Sequence, residues 1–130
     1  MDNWQSRERD AVAPDSMDVW LLERVTGASS AIFRAKAGQT CRAVRHRTVE
    51  EIWYCLSGKS EMWMQAPDGS ERTVSLTRGS CVAIPVATTF QLRNQGRCEA
   101  NFFGVTVPAW PGEGEAEITE GKWLPRIKGA

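Results

Sequence analysis

G-Q-T-C-R-A-V-R-H-R-T-V-E-E-I-W-Y-C-L-S-G, residues Gly38 to Gly58, is the stretch whose reading decides the fold. It holds the chain's one histidine, His46, with Glu51 five positions further on and a glycine at each end. Its rhythm is that of short strands between turn signals, and strands are expected over 40–47 and 51–56.

The same rhythm continues on both sides. Towards the N-terminus, Ala31, Phe33, Ala35 and Ala37 alternate with Arg34 and Lys36, as in a half-buried strand. T-G-A-S-S at 26–30 separates it from an earlier strand over 19–25. Towards the C-terminus, strands are expected over 59–65, 71–76, 81–84, 88–93 and 98–107, with turns at P-D-G (67–69), T-R-G-S (77–80) and N-Q-G (94–96). No window of a dozen residues keeps an apolar 3.6-residue stripe free of glycine or proline, so the chain reads as all-β. Turns about every 8 to 12 residues point to a sandwich, jelly roll or small barrel.

Three parts are expected: an N-terminal arm (1–17) that mixes charge with Pro14 and Asp15, a barrel (18–107), and a tail (108–130) rich in proline, glycine and tryptophan. Trp110 and Trp123 are too apolar to leave in water cheaply and should dock on the barrel or on a second subunit.

The 130 residues suffice for one domain with a real core. The 16 basic and 16 acidic side chains cancel and form no run, so neither nucleic acid nor an anionic membrane is an expected partner. The charged N-terminus lacks an export signal's apolar segment, no run is long enough to span a bilayer, and a cytoplasmic protein is expected. Cys41, Cys55, Cys81 and Cys98 form no C-x-x-C pair and read as free, buried thiols.

Two motifs resemble those of the small single-domain cupins. The cupin first motif runs glycine, H-x-H, three or four residues, glutamate, six residues, glycine; here those positions are Gly38, Val44-Arg45-His46, Glu51 and Gly58. The second runs glycine, five residues, P-x-G, two residues, histidine, three residues, asparagine, and falls on Gly79, Pro85-Val86-Ala87, Phe90 and Asn94. The resemblance implies a double-stranded β-helix, or jelly-roll barrel. It also implies a metal held by the histidines and glutamate, but Val44 and Phe90 stand at two of the four ligand positions. Only His46 and Glu51 remain as metal ligands, with Cys55 the nearest thiol, whereas a catalytic metal site normally has three protein ligands and an open position. No cofactor is expected, and a transition metal would be held only loosely.

Strand alternation lists the interior. With His46 inward, Val44 and Arg42 follow; with Glu51 inward, Trp53 and Cys55 follow; Met62 and Met64, then Phe90 and Leu92, complete the set. The expectation is an apolar, sulfur-rich ligand pocket around one His–Glu pair, with Arg42 at its mouth and Tyr54 outside. Such a pocket suits a small, largely hydrophobic molecule with one or two polar groups. A small-molecule-binding protein is therefore the first functional expectation. A metal-free isomerase or epimerase, with His46 as general base oriented by Glu51, is the second, and a metal-dependent enzyme with a reduced ligand set the third. A filled barrel working through its outer surface is the fourth. Trp63, outward between Glu61 and Gln65, would join the tail tryptophans in a homodimer face.

Overall fold

The computed structural model describes residues 3–127. After a single 3-10 turn at Trp4–Ser6, eleven strands follow among the described residues: β1 (Ala11–Val12), β2 (Asp18–Val25), β3 (Ala28–Ala35), β4 (Ala43–His46), β5 (Glu50–Ser57), β6 (Lys59–Gln65), β7 (Glu71–Thr77), β8 (Cys81–Ile84), β9 (Thr89–Arg93), β10 (Ala100–Val107) and β11 (Ala116–Thr119). Two antiparallel sheets, ordered β1-β2-β3-β10-β5-β8 and β11-β4-β9-β6-β7, enclose the core. β2 and β4 to β10 fall where alternation and turn residues put them, but β3 begins at Ala28, inside the 26–30 segment read as a turn, and the turn narrows to residues 26 and 27. β1 and β11 were not foreseen, since edge strands of two and four residues carry too few positions to show a period.

Gly58 is demanded by the turn between β5 and β6. Its φ is +87°, and a Cβ there would lie 2.6 Å from the Glu99 carbonyl oxygen. Only glycine meets both conditions.

The termini are part of the fold. Residues 3–17 are not the loose arm that their mixed charge suggests: β1 pairs with β2, and the Trp20 indole donates to the Arg7 carbonyl at 2.9 Å. Trp4 packs edge-on against Trp20 at 5.2 Å, and Met17 is wholly buried. On the second sheet the tail crosses the outer face of β4, β9 and β6. Gln91 donates to the carbonyls of Cys41 (2.9 Å) and Trp123 (2.8 Å) and accepts from the Trp123 N–H (2.9 Å), while the Arg93 guanidinium lies 4.1 Å above the Trp123 ring. Trp63 points outward by parity yet is only 5% exposed, because this strap covers the sheet and Glu71 accepts its indole N–H at 2.7 Å. It therefore offers no open face to a second subunit. Residues 1, 2 and 128–130 of the expected arm and tail lie outside those described.

One expected direction is reversed. Thr40 pairs with Arg93 and Val44 with Phe90, so the β4 side carries one residue more than β9 opposite it. This bulge breaks the alternation: Cys41 turns inward, wholly buried, and Arg42 is the surplus residue, exposed to solvent rather than placed at a pocket mouth. The cysteines also divide, with Cys41 and Cys55 buried but Cys81 and Cys98 exposed. No helix among the described residues is long and apolar enough to cross a membrane.

Candidate functional site

The side chains expected to line a hollow pack against one another. Val44, Trp53, Cys55, Met62, Met64, Phe90 and Leu92 are each at most 3% exposed and belong to one continuous core. Trp53 is its hub, with ring centroids 4.9 Å from Phe33, 5.3 Å from Phe102 and 5.7 Å from Phe90. Two hollows of about 200 and 250 Å³ are grooves on the outer surface, and of the expected pocket and site residues only Glu51 borders one of them.

One group of buried polar side chains gathers at the end of the barrel where β4 finishes with His46 and β5 begins. His46 is 7% exposed, and its Nδ1 lies 3.0 Å from Glu51 Oε1. The ring N–H is not aligned with that oxygen, so the contact is electrostatic rather than a well-formed hydrogen bond. Glu51 is held by its other oxygen, which accepts from the Trp53 indole at 3.2 Å and the Thr106 hydroxyl at 3.5 Å. The imidazole is wedged between Phe90 (centroids 5.3 Å apart) and Trp110 (5.1 Å), both edge-on. The nitrogen left without a hydrogen bond is thus Nδ1, a buried atom.

Three further residues belong here that strand parity could not supply. Trp110 comes from the loop after β10, anchored where its backbone N–H donates to Ser29 Oγ at 2.9 Å. Glu115, later in that loop, accepts from the Thr48 and Val49 backbone N–H groups and from the Thr48 hydroxyl. Burial opposes its ionisation, but those bonds and the nearby His46 outweigh it and hold the carboxyl below its usual range. Asp15 lies on the tight turn 13–17 and is 7% exposed. Burial pushes its pKa up to about 6; the Met17 N–H opposes the rise, the Glu51 charge adds to it and His46 counteracts it. The one sequence signal for Asp15 is P-D-S before an apolar residue, which marks a turn but not its destination.

The residues present do not fit the metal that the motif positions imply. No group of three or more His, Cys, Asp or Glu able to hold an ion occurs among the described residues. Burial raises the pKa of both the Cys55 and the Cys41 thiols, so neither offers the thiolate a metal needs.

No protein-family model matches the chain, and no curated protein matches it in sequence. Solved structures do match. Oxalate decarboxylase from Bacillus subtilis superposes with a TM-score of 0.72 at 19% identity, over 88% of this chain and 30% of that one. CapF, the capsular polysaccharide assembling protein of Staphylococcus aureus, gives 0.71 at 16% identity over 87% and 34%. Peruvianin-I, a cysteine peptidase from Thevetia peruviana latex, gives 0.75 at 13% identity over 92% and 77%. This chain spans about a third of the length of the first two. Another structure of the decarboxylase is described by its Mn(II) centres. The fold is of the cupin type, a jelly-roll barrel of two antiparallel sheets.

Proposed function

We propose that this cupin domain binds a small organic molecule at the end of the barrel marked by His46, rather than within the barrel. The observation that carries the reading is His46 itself: a buried ring whose Nδ1 lies 3.0 Å from Glu51 without a formed hydrogen bond, packed edge-on against Phe90 and covered by one half-buried indole, Trp110. A buried polar atom without a partner is expensive, and a ligand able to bond to it recovers that energy. The occupant has to replace the Trp110 edge contact as well, which selects a planar or apolar group bearing one hydroxyl, carbonyl or carboxylate. Its setting is the cytoplasm, and the balanced charge gives it no pull towards nucleic acid or anionic membranes.

The test is a thermal-shift screen of small aromatic acids, alcohols and ketones against the wild type, Trp110→Ala and His46→Gln. The expected result is a set of ligands that stabilise the wild type, stabilise Trp110→Ala more, and leave His46→Gln unaffected. Hits indifferent to His46, or none at all, would sink the reading.

Asp15 favours a second reading, a metal-free isomerase or epimerase. A carboxyl whose pKa is near 6 can donate a proton close to neutral pH, and His46 beside Glu51 can accept one. Exchange of a substrate C–H for deuterium, followed by NMR in D2O, should require both Asp15 and His46. Exchange that survives either Asp15→Asn or His46→Gln removes it.

A further inference from the structure

The His46 end of the barrel holds more acid than one imidazole can answer. The carboxyl groups of Asp15, Glu51 and Glu115 are each at most 7% exposed there. They arrive from three separate parts of the chain: the 13–17 turn, the start of β5 and the loop after β10. Burial first, and the Glu51 charge after it, hold the Asp15 pKa up at about 6, so that carboxyl is mostly ionised at pH 7. Burial opposes ionisation of Glu115 too, but its bonds to Thr48 and Val49 and the nearby His46 outweigh it and keep the group charged.

Positive charge does not match this. His46 is the basic group that acts on both Asp15 and Glu115. Arg42, whose backbone N–H donates to the Asp15 carbonyl, stands in solvent, and Arg45 and Arg47 pair with Glu117. Gathering buried carboxylates without equal positive charge is costly. The hydrogen bonding is incomplete as well. Glu51 Oε2 accepts from the Trp53 indole and the Thr106 hydroxyl, and Asp15 accepts from the Met17 N–H. Glu51 Oε1, by contrast, faces His46 Nδ1 at 3.0 Å with no bond formed, and Nδ1 is buried without a hydrogen bond.

We infer that the ligand of this site carries a protonated amine, seated against Glu51 Oε1, His46 Nδ1 and the Asp15 carboxyl beneath the indole of Trp110. An ammonium group supplies positive charge and three N–H donors with no acceptor, which answers both deficits at once. Nδ1 then accepts, with the ring proton on Nε2. The half-buried indole of Trp110 is the aromatic that best favours a cation beside it. The inference rests on the binding reading above and narrows it: the ligand's charge is positive, and of the groups admitted there a carboxylate is the worst.

Ligand-observed NMR titration at pH 7 of benzylamine, benzyl alcohol and benzoate, with their cyclohexyl counterparts, varies the charge on a constant body. In each set the amine should bind the wild type at least about tenfold more tightly than the alcohol, and the acid should bind least. Asp15→Asn should cut the preference for amine over alcohol at least about fivefold. Should that variant fail to fold, the wild-type order of the probes decides. An alcohol or acid that binds as tightly as the amine, and loses its affinity in His46→Gln, overturns the charge and leaves the binding reading standing. An amine preference that ignores Asp15→Asn overturns the charge too. No binding by any probe, or equal binding to His46→Gln, overturns both.

Discussion

His46 and Glu51 face each other across 3.0 Å at the end of the barrel, one from the last position of β4 and one from the start of β5. The pair is buried, and the indole of Trp53 fixes the carboxylate from its far side. Removing one member leaves the other buried without its charge partner. Glu51→Gln, which keeps an acceptor for the indole, should lower unfolding free energy by about 1–3 kcal/mol in urea titration. A cycle with His46→Gln should show coupling of at least about 0.5 kcal/mol. Additive losses would mean that the two groups do not interact.

Asp15 should make stability depend on pH. Its carboxyl is pushed from 3.8 up to about 6, chiefly by burial, so the folded protein holds that proton more tightly than the unfolded chain does. The stabilisation from protonation is complete below about pH 4 and is lost as pH rises through about 6. Asp15→Asn, which keeps the acceptor for the Met17 N–H, should therefore match the wild type near pH 4. By pH 8 it should be the more stable by up to about 3 kcal/mol. Urea titrations of both proteins at four pH values check this, and parallel curves would contradict it.

Metal should not matter to the folded state. With Val44 and Phe90 at ligand positions and the thiols of Cys41 and Cys55 protonated, added Mn²⁺ or a chelator should leave the Tm unchanged within about 1 °C. A rise of several degrees with one metal, at stoichiometric uptake, would overturn it.

One amide makes three of the tail strap's hydrogen bonds, beside the Arg93 stack on Trp123 and the backbone pair Thr40–Arg126. Gln91→Leu strands the Cys41 and Trp123 carbonyls and the Trp123 N–H, and should destabilise the protein by about 2–3 kcal/mol. Trypsin should then cut at Lys122 faster than in the wild type, and Trp63 emission should shift to the red. Unchanged cleavage would show the strap to be held by other contacts.

Gly58→Ala meets a positive φ and the Glu99–Ala100 backbone together, since its Cβ would lie 2.6 Å and 2.7 Å from two of their atoms. A loss of about 2–4 kcal/mol, or no soluble protein, is expected. A stable variant would mean that the turn can relax.

The strands of the barrel and the inward set from Val44 to Leu92 were legible because alternation is a local signal. It failed at Arg42, where one surplus residue reverses the parity without any trace in composition. It placed Trp63 correctly outward but could not show the cover, which comes from residues about sixty positions later. The site was half legible. His46 and Glu51 stood out as the lone histidine and a motif glutamate, whereas Asp15, Trp110 and Glu115 reach them from turns whose destinations only tertiary packing decides. Whether the interior is hollow is a matter of side-chain volume, to which a period-two pattern is blind.

The strap has a consequence in time. A ribosome adds about 5–20 residues per second, so Trp63 waits roughly 3–12 s after it is made before Trp123 exists to help cover it. During that interval β6 and β9 can pair while their outer face stays bare, with Trp63 exposed on it. The nascent chain is therefore at its stickiest in the interval between the emergence of β9 and that of the strap, and chaperone capture should be strongest on ribosomes stalled within it.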